Sequence, residues 1–245
     1  MNLLEVQGLR KTYPAFRLED VSFSVPEGAV MGLIGRNGAG KSTTLKSILG
    51  LVHPDAGRVE MFGREFSENE RYIKENIGVV LGGIDFYPKK KVRTITDVTR
   101  RFYSNWQEEK YRHYLDLFAI DENKRVDQLS SGMRVKYLLA LALSHNARLL
   151  ILDEPTSGLD PVSRDELTEL LRRIAADGTR SVLFSTHITS DLEKCASHIT
   201  FIQEGRLQRS DTLAGFTAHY ADLGSTLEEI IVAAERRPYD ADAII

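Results

Sequence analysis

The amino-acid sequence predicts a layered α/β fold whose main sheet is parallel. In the second half of the chain, short apolar runs alternate with helix-like patterns, which is typical of β-α-β units. Near the start of the chain, the apolar runs lie close together, with turn residues such as 26–28 between them, and this indicates an antiparallel β region. A glycine-rich stretch follows the third apolar run and opens a helix-like segment.

The strands and helices follow from apolar patterning in chain order. Aromatic and apolar residues at helical spacing mark a different segment, at about residues 88–146, which we interpret as a small inserted helical subdomain with these residues as its core face rather than as a ligand surface. We expect a main domain over residues 1–210 and a C-terminal helical extension over 211–245, with a helix at 227–237 and a polar end. The predicted strands are 3–6, 21–25, Val30–Ile34, 58–62, Ile77–Leu81, 149–152, 182–185 and 199–202. The core-face residues are Phe102, Tyr103, Trp106, Tyr111, Tyr114, Leu115 and Phe118.

Composition narrows the class of protein. The 245 residues carry a net charge of −3, which gives no indication of a nucleic-acid partner. The single cysteine, Cys195, excludes an internal disulfide, fits a reducing compartment and is interpreted as a small residue packed on a helix. No apolar run approaches the roughly 18 residues of a membrane span, and the N-terminus lacks the apolar stretch of a signal peptide. We therefore expect the chain itself to be cytoplasmic.

The glycine-rich stretch, residues 35–43, is called the phosphate loop below. It fits G-x-x-x-x-G-K-[ST] between a strand and a helix, so its backbone N–H groups and helix dipole can cradle polyphosphate. Lys41 would meet the β- and γ-phosphates, and the Ser42 hydroxyl would bind Mg²⁺. A chance match in a glycine-rich turn is disfavoured by the flanking strand and helix. The predicted nucleotide-binding residues here are Gly35, Arg36, Asn37, Gly38, Ala39, Gly40, Lys41, Ser42 and Thr43.

Two carboxylates, Asp153 and Glu154, end the apolar strand at 149–152. The carboxyl end of a parallel strand lies at the crevice where ligands bind, so Asp153 would hold Mg²⁺, through water, and Glu154 would act as general base. The alternative is a simple turn, and this motif gains its weight from the phosphate loop beside it. His187 follows the strand at 182–185 and could reach a γ-phosphate.

A five-residue segment, 129–133, precedes a long helical pattern and is called the signature segment below. Ser130 and Gly132 lie where a helix N-terminus offers free N–H groups. A plain N-cap explains these five residues equally well.

Together these motifs resemble those of the ATP-binding subunit of ABC transporters, over roughly residues 2–210. The phosphate loop, the signature segment, Asp153-Glu154, residues 157–160 and residues 185–187 occur in the family's order. Tyr13 matches the aromatic residue that stacks on adenine in that family. The resemblance implies a P-loop NTPase core of the ABC type, with ATP and Mg²⁺ as cofactors.

The resemblance also implies a site that one chain cannot complete. Two copies would face each other head to tail, with ATP between the phosphate loop of one copy and the signature segment of the other. Ser130 and the Gly132 N–H would contact the γ-phosphate, and Asp160 would line the interface. His187 would stabilise the transition state together with Glu154, and the helical subdomain would transmit closure to a separate membrane permease.

This chain departs from the family pattern at two places. The signature segment has Ser131 and Met133 where the family has glycine and glutamine, but Ser130 and Gly132 remain. Residues 82–83 are both glycine where the family places a glutamine near magnesium. The lysine run at 89–91 is interpreted either as a solvated charge run or as a contact with an acidic permease segment or anionic lipid.

These patterns favour an ATP-hydrolysing subunit of a multi-chain ABC transporter, peripheral on the cytoplasmic face of the membrane. Residues 186–193 and the short chain most resemble bacterial ATPases that serve exporters of peptides, antibiotics or lipids. The alternative is a soluble ABC ATPase without a transport role, although translation factors of the family usually carry two such domains. A phosphate-loop kinase is disfavoured by the signature segment.

Overall fold

The computed structural model describes residues 1–81 and 87–236, and the predictions for residues 82–83 and 237–245 lie outside that part of the chain. The described strands are β1 (Asn2–Tyr13), β2 (Phe16–Pro26), β3 (Val30–Ile34), β4 (Ala56–Met61), β5 (Arg64–Glu65), β6 (Ile77–Leu81), β7 (Leu149–Asp153), β8 (Ser181–Thr186), β9 (His198–Gln203) and β10 (Arg206–Thr212). The helices are α1 (Lys41–Ile48), α2 (Phe66–Asn76), α3 (Val92–Thr99), α4 (Glu108–Leu117), α5 (Ser131–Ser144), α6 (Pro161–Ala175), α7 (Thr189–Cys195), α8 (Leu213–His219) and α9 (Leu227–Glu235). Short 3₁₀ turns lie at Arg100–Phe102 and Val126–Gln128.

The described strands form one sheet in the order β5-β4-β1-β2-β10-β9-β3-β8-β7-β6. The pairs β6–β7, β7–β8, β8–β3 and β3–β9 are parallel, and β10 pairs parallel to β2. The pairs β2–β1, β1–β4, β4–β5 and β9–β10 are antiparallel. The predicted combination of a parallel core and an antiparallel β region is therefore confirmed.

The strands that differ most from the prediction are polar. The strand β1 continues to Tyr13, beyond its apolar start, and β10 was not predicted at all. Leu207 is the sole apolar residue of β10, yet the strand pairs with β9 from Arg206 to Thr212. Backbone N–H and C=O groups can form hydrogen bonds whatever the side chains of the strand are. A polar strand that pairs with a neighbouring strand therefore leaves no periodic apolar signal in the sequence.

The buried side chains form three clusters. One lies between the parallel strands and α5, α6, α7, α8 and α9, and a second lies between the antiparallel strands, α1 and the other face of the parallel strands. The third lies inside the helical segment, where the Thr96 hydroxyl meets the Tyr111 and Tyr137 hydroxyls at 2.7 and 2.9 Å. The helical segment thus has a core of its own, although its division from the main domain stays a prediction.

The predicted aromatic core face of that segment is wrong for Phe102. Tyr111, Leu115 and Phe118 are buried, but the Phe102 residue is 73% exposed. The helical spacing fails because α3 ends at Thr99 and α4 begins at Glu108, so Phe102 lies in a 3₁₀ turn and not on the helix that carries Tyr111.

The C-terminal helices pack on the main domain. Phe216 of α8 and Leu227, Ile230 and Ile231 of α9 are buried in the first cluster. The helix α9 ends at Glu235, two residues earlier than predicted, where the backbone of Arg236 becomes extended. These helices therefore belong to the core that supports the parallel strands.

Cys195 is buried on α7, and its thiol donates to the Asp191 carbonyl at 3.2 Å, as expected of a packed residue. Across residues 1–81 and 87–236, no helix combines the length and the apolar character that a membrane crossing requires.

Candidate functional site

The phosphate loop connects β3 to α1 and leaves the N-terminus of α1 open. Gly40 is the N-cap residue, and no side chain caps the helix there. Gly38 and Gly40 have φ angles of 85° and 113°, which residues with a Cβ rarely adopt. A Cβ on Gly40 would also lie 2.9 Å from the Phe16 ring. The glycines thus allow the turn that leaves the first N–H groups of α1 available to an anion.

Lys41 curls back over this loop. Its ammonium group donates to the carbonyls of Gly35 and Arg36 at 2.7 and 3.2 Å, and it lies 3.3 Å from Glu154 Oε1. The side chain is 4% exposed. The structure therefore holds a buried cation at the loop that is predicted to bind phosphate.

The second acidic motif meets the phosphate loop at Asp153. The hydroxyl of Ser42 donates to Asp153 Oδ1 at 3.1 Å, and the hydroxyl of Ser185 donates to the same oxygen at 2.6 Å. The contact between Asp153 and Ser185 follows from the parallel register, in which Asp153 of β7 lies opposite Ser185 of β8. The predicted magnesium ligands Ser42 and Asp153 are thus in direct contact.

These two groups fit a magnesium ion that keeps most of its other ligands as water and phosphate. Hydroxyl and carboxylate oxygens are the donors that Mg²⁺ prefers, and Mg²⁺ commonly takes one or two protein ligands in nucleotide sites. In the described ranges, no group of three or more His, Cys, Asp or Glu residues could hold a metal by itself. A magnesium ion at this site would therefore depend on bound nucleotide phosphates.

Glu154 lies between a lysine and a histidine. Its Oε1 faces Lys41, and its Oε2 lies 2.8 Å from His187 Nδ1. Its backbone has a positive φ of 49°, and its N–H donates to the Ser185 hydroxyl at 2.9 Å. A glutamate in this uncommon conformation needs support from its surroundings, which Ser185 provides. Glu154 and His187, predicted separately from the sequence, are thus brought together.

The signature segment caps its own helix in this structure. Ser130 is the N-cap of α5, and its hydroxyl accepts from the Met133 N–H at 3.2 Å. Gly132 is buried, and a Cβ there would lie 3.2 Å from the Ser163 side chain. The N-cap interpretation of Ser130 is therefore correct for the single chain, and its contact with a γ-phosphate stays a prediction.

Asp160 lies beside the signature segment through Ser163. Its carboxylate caps α6 by accepting from the N–H groups of Val162 and Ser163, both at 3.0 Å, and from the Ser163 hydroxyl at 2.6 Å. The hydrogen bond from the Ser163 side chain, followed by those from the backbone, lowers the pKa of Asp160. Because a Cβ on Gly132 would lie close to the Ser163 side chain, the two predicted interface motifs are near each other in the structure.

Tyr13 lies at the end of β1 and is 38% exposed. The ammonium group of Lys11 is 5.8 Å from the centre of its ring. Its role as the adenine platform stays a prediction. The partial exposure of Tyr13 at the end of the strand is consistent with that role.

An open cavity of about 1150 Å³ lies over the phosphate loop. The loop contributes Arg36, Asn37, Gly38 and Ala39 to its lining, and His187 lines it too. The remaining wall comes from β9, from α9, from the residues next to them and from Thr189 of α7. The C-terminal helix thus faces the same space as the phosphate loop.

Sequence reasoning missed two residues of this site. Ser185 was noted only as part of residues 185–187, yet it bonds both Asp153 and Glu154. Glu235 of α9 accepts from the backbone N–H of Arg36 at 3.0 Å. The serine lies next to a recognised histidine and could have been found, whereas no motif marks Glu235.

Comparison with known proteins identifies the family of the chain. The family model described as "ABC transporter" matches residues 18–157, more than half of the chain. The chain therefore belongs to the ABC transporter family, as its motifs predicted. The matched residues include the phosphate loop, the signature segment and both acidic residues.

Two curated relatives are ATP-binding proteins. The bacitracin transport ATP-binding protein BcrA of Bacillus licheniformis is 32% identical over 208 residues, 84% of this chain and 68% of the relative. The Nod factor export ATP-binding protein I of Burkholderia orbicola (strain AU 1054) is 39% identical over 191 residues, 76% of this chain and 62% of the relative. The chain thus matches less than two thirds of the length of the second relative.

Solved structures share the fold. The ATP binding subunit of an ABC transporter has a TM-score of 0.84 at 28% identity, covering 96% of this chain and 100% of that one. The ATP-binding cassette MJ0796, described as dimeric and bound to ADP and Pi, has a TM-score of 0.75 at 21% identity, covering 86% of this chain and 98% of that one. At the lower identity, the likeness shows the fold alone.

The two hydrogen bonds of Ser185 generate a testable prediction. Ser185→Ala removes the donor to Asp153 and the acceptor for Glu154, so it should lower the free energy of unfolding by about 1–3 kcal/mol. It should also reduce ATPase turnover, because both carboxylates lose their support. Urea denaturation and steady-state kinetics measure the two effects.

Ser181→Ala is the matched control. Ser181 is buried on the same strand, but its hydroxyl donates to the Pro26 carbonyl at 2.8 Å, at the opposite end of β8. This variant should lose stability and keep its turnover. Equal turnover in the two variants would remove Ser185 from the functional site.

Proposed function

We propose that the protein is the ATP-hydrolysing subunit of a multi-chain ABC transporter, which binds ATP at a homodimer interface and drives a separate membrane permease. The observation that carries this proposal is the meeting of Lys41, Glu154 and His187 beside the Ser42–Asp153 pair. These groups supply a cation, a base, a histidine and oxygen ligands around one phosphate-binding loop. The family membership of the chain agrees with that chemistry.

ATP binding would change the partners of Lys41. In the described state its ammonium group meets Glu154 and two loop carbonyls. The β- and γ-phosphates carry more negative charge than these partners, so Lys41 would turn to them. Glu154 Oε1 would then be available to accept a proton from the attacking water, while His187 keeps hold of Oε2.

Ser42 and Asp153 would hold magnesium beside these phosphates. The ion, when bound, supplies positive charge that stabilises the phosphate oxygens during transfer. Ser185 keeps Asp153 Oδ1 in place, and it keeps the Glu154 backbone at a fixed distance from that group. The binding of the ion and the position of the base thus depend on one serine hydroxyl.

A second copy of the chain would complete the site. The signature segment lies at the N-terminus of α5, where a backbone N–H group can face an anion, and Asp160 caps the N-terminus of α6. In the head-to-tail arrangement, Ser130 and the Gly132 N–H of one copy would meet the γ-phosphate held by the other copy. ATP would then hold two copies together, and hydrolysis would release them.

The partner permease would dock in an apolar groove of about 660 Å³ beside the helical segment. Its lining includes Tyr87, Val98 and Phe102, which are large hydrophobic residues with at least half of their surface exposed. Contiguous exposed apolar surface of this kind indicates a protein partner. The exposed lysine run at 89–91 adjoins the groove and would face an acidic segment of the permease or anionic lipid.

The floor of this groove is uncharged. His145 stacks on Tyr103 with 3.7 Å between the ring centres, and burial lowers the pKa of His145 to about 4. The imidazole is therefore neutral near pH 7, and an apolar segment can approach without meeting a buried charge. Binding of the permease in this groove would hold the protein at the cytoplasmic face of the membrane.

The transported substrate would be exported. The names of two relatives refer to bacitracin transport and to Nod factor export. We propose the same broad class of cargo, a peptide, antibiotic or lipid, for the transporter that contains this chain.

Paired substitutions separate binding from hydrolysis. Glu154→Gln keeps the shape of the side chain but cannot take a proton, so turnover should fall by about 10²–10⁴-fold while ATP affinity is kept. Lys41→Ala should instead weaken ATP binding by about ten- to a hundredfold, since a charged hydrogen bond to phosphate is lost. Calorimetry and steady-state kinetics measure both.

The same variant tests the homodimer. With ATP and Mg²⁺, Glu154→Gln should elute as a dimer in size-exclusion chromatography, whereas the combination of Lys41→Ala and Glu154→Gln should stay monomeric. Retained turnover in Glu154→Gln would exclude it as the base. A monomer at high protein concentration would argue against the ATP-bridged pair.

Tyr13→Ala should weaken ATP and ADP to the same extent, because an adenine platform touches the base and not the phosphates. We expect a loss of about 1–3 kcal/mol for each nucleotide, the range for base–aromatic stacking. Tyr87→Ala, a change at an exposed tyrosine in the apolar groove, is the control and should leave both affinities unchanged. A loss for ATP alone would show that Tyr13 is not the platform.

Phe102→Asp should abolish co-purification of the subunit with a membrane protein from its native cells, because it places a charge in the apolar groove. Leu51→Asp, at another exposed hydrophobic residue, is the control and should retain the partner. ATP binding by both isolated subunits should be unchanged. Failure of the unmodified protein to retain any membrane protein would favour a soluble ABC ATPase without a transport role.

A further inference from the structure

The last residue of α9 reaches the phosphate loop. Glu235 Oε1 accepts from the backbone N–H of Arg36 at 3.0 Å, and its Oε2 lies 3.7 Å from Arg36 Nε. The Glu235 side chain is 7% exposed, whereas that of Arg36 is 64% exposed. A buried carboxylate thus bonds the main chain of the loop and meets the arginine side chain only at its edge.

The position of Glu235 is fixed by the packing of α9. Leu227, Ile230 and Ile231 are buried against the parallel half of the domain. Near its C-terminal end, the side-chain amide of Gln203 on β9 donates to the Ala234 carbonyl at 3.1 Å. The packing of α9 on the core therefore fixes Glu235 beside the phosphate loop.

Arg36 is held from two sides. Its N–H is bonded by Glu235, while its carbonyl accepts from the Lys41 ammonium group at 3.2 Å and from the Ala39 N–H at 3.0 Å. If ATP draws Lys41 away from that carbonyl, Glu235 still holds the other side of the same residue. The carboxylate thus restrains the loop at the point where its lysine has to move.

The Glu235 carboxylate lies close to a loop that is predicted to bind the negatively charged phosphates of ATP. Burial raises the pKa of Glu235, and the Arg36 N–H and the nearby cations Arg36 and Lys41 oppose that rise. Charge repulsion alone would weaken nucleotide binding, so the favourable contribution of Glu235 has to come from its hydrogen bond. That bond orders the loop before the nucleotide arrives, and less ordering remains to oppose binding.

We propose that Glu235 is a positioning residue of the nucleotide site, which holds the phosphate loop through the Arg36 N–H and so couples the C-terminal helix to ATP binding. This inference rests on the proposed function, since it assigns the loop to ATP. Coupling of this kind is reciprocal, so bound nucleotide also strengthens the attachment of α9.

Three substitutions at Glu235 separate its hydrogen bond from its charge. Glu235→Gln keeps an acceptor oxygen of the same reach and removes the charge. Glu235→Ala removes both, and Glu235→Asp keeps the charge but shortens the side chain by one methylene. Glu228→Gln is the control, because Glu228 is an exposed carboxylate on the same helix and lines the same cavity.

For ATP hydrolysis, Glu235→Ala and Glu235→Asp should each raise KM by about three- to tenfold, with kcat within about twofold of the unmodified protein. Glu235→Gln and Glu228→Gln should keep the original KM. An unchanged KM in Glu235→Ala, or an equal rise in Glu235→Gln, would overturn the assignment. If Glu235→Ala does not fold, the contrast between the Asp and Gln variants decides the question.

Amide hydrogen exchange of the nucleotide-free protein gives a readout that does not depend on ATPase activity. Exchange in a peptide containing Arg36 should be faster in Glu235→Ala and Glu235→Asp than in the unmodified protein, and unchanged in Glu235→Gln. Equal exchange in all four proteins would overturn the positioning role. If the unmodified protein bound no ATP, the proposed function would fail, and the exchange experiment would still test the bond to Arg36.

Discussion

The in-register parallel pairing of β3, β8 and β7 is the constraint on which the candidate site depends. Ile34 lies opposite Thr186, and Asp153 lies opposite Ser185, so the loops that follow these strands leave the sheet at the same edge. A shift of one residue would turn alternate side chains to the other face of the sheet. The Ser185 hydroxyl could not then bond Asp153 and Glu154 together, and the lysine, glutamate and histidine would not meet.

The charges of the site are already paired within the chain. Lys41 and His187 both lie against Glu154, so the glutamate has partners on each carboxylate oxygen before any nucleotide is present. This pairing reduces the cost of burying Lys41, because a buried ammonium group without a partner would be strongly unfavourable. Bound phosphates would displace Glu154 from Lys41. In the proposed ATP-bound state, Lys41 would exchange its contact with Glu154 for contacts with the phosphates.

The C-terminal helices connect this chemistry to the rest of the core. The α9 helix shares its apolar residues with the cluster under β3, β7 and β8, and Glu235 meets the loop that follows β3. The helical segment with its exposed apolar groove adjoins β6 at the far edge of the sheet. The phosphate loop thus contacts α9 on one side. On the other side, the sheet continues from β3 through β8 and β7 to β6, which adjoins the proposed docking groove.

The sequence by itself determined the phosphate loop, the acidic strand end, the signature segment and the α/β class, because each is a contiguous pattern whose local context is enough to recognise it. Tertiary structure alone decided which partners these groups have. The contact between Arg36 and Glu235 joins residues 199 positions apart, and the strand β10 pairs through its backbone although its side chains are mostly polar. Phe102 is exposed because a helix ends before it, although its spacing predicted a buried residue. Such features depend on packing between distant segments, which neither periodicity nor a short motif encodes.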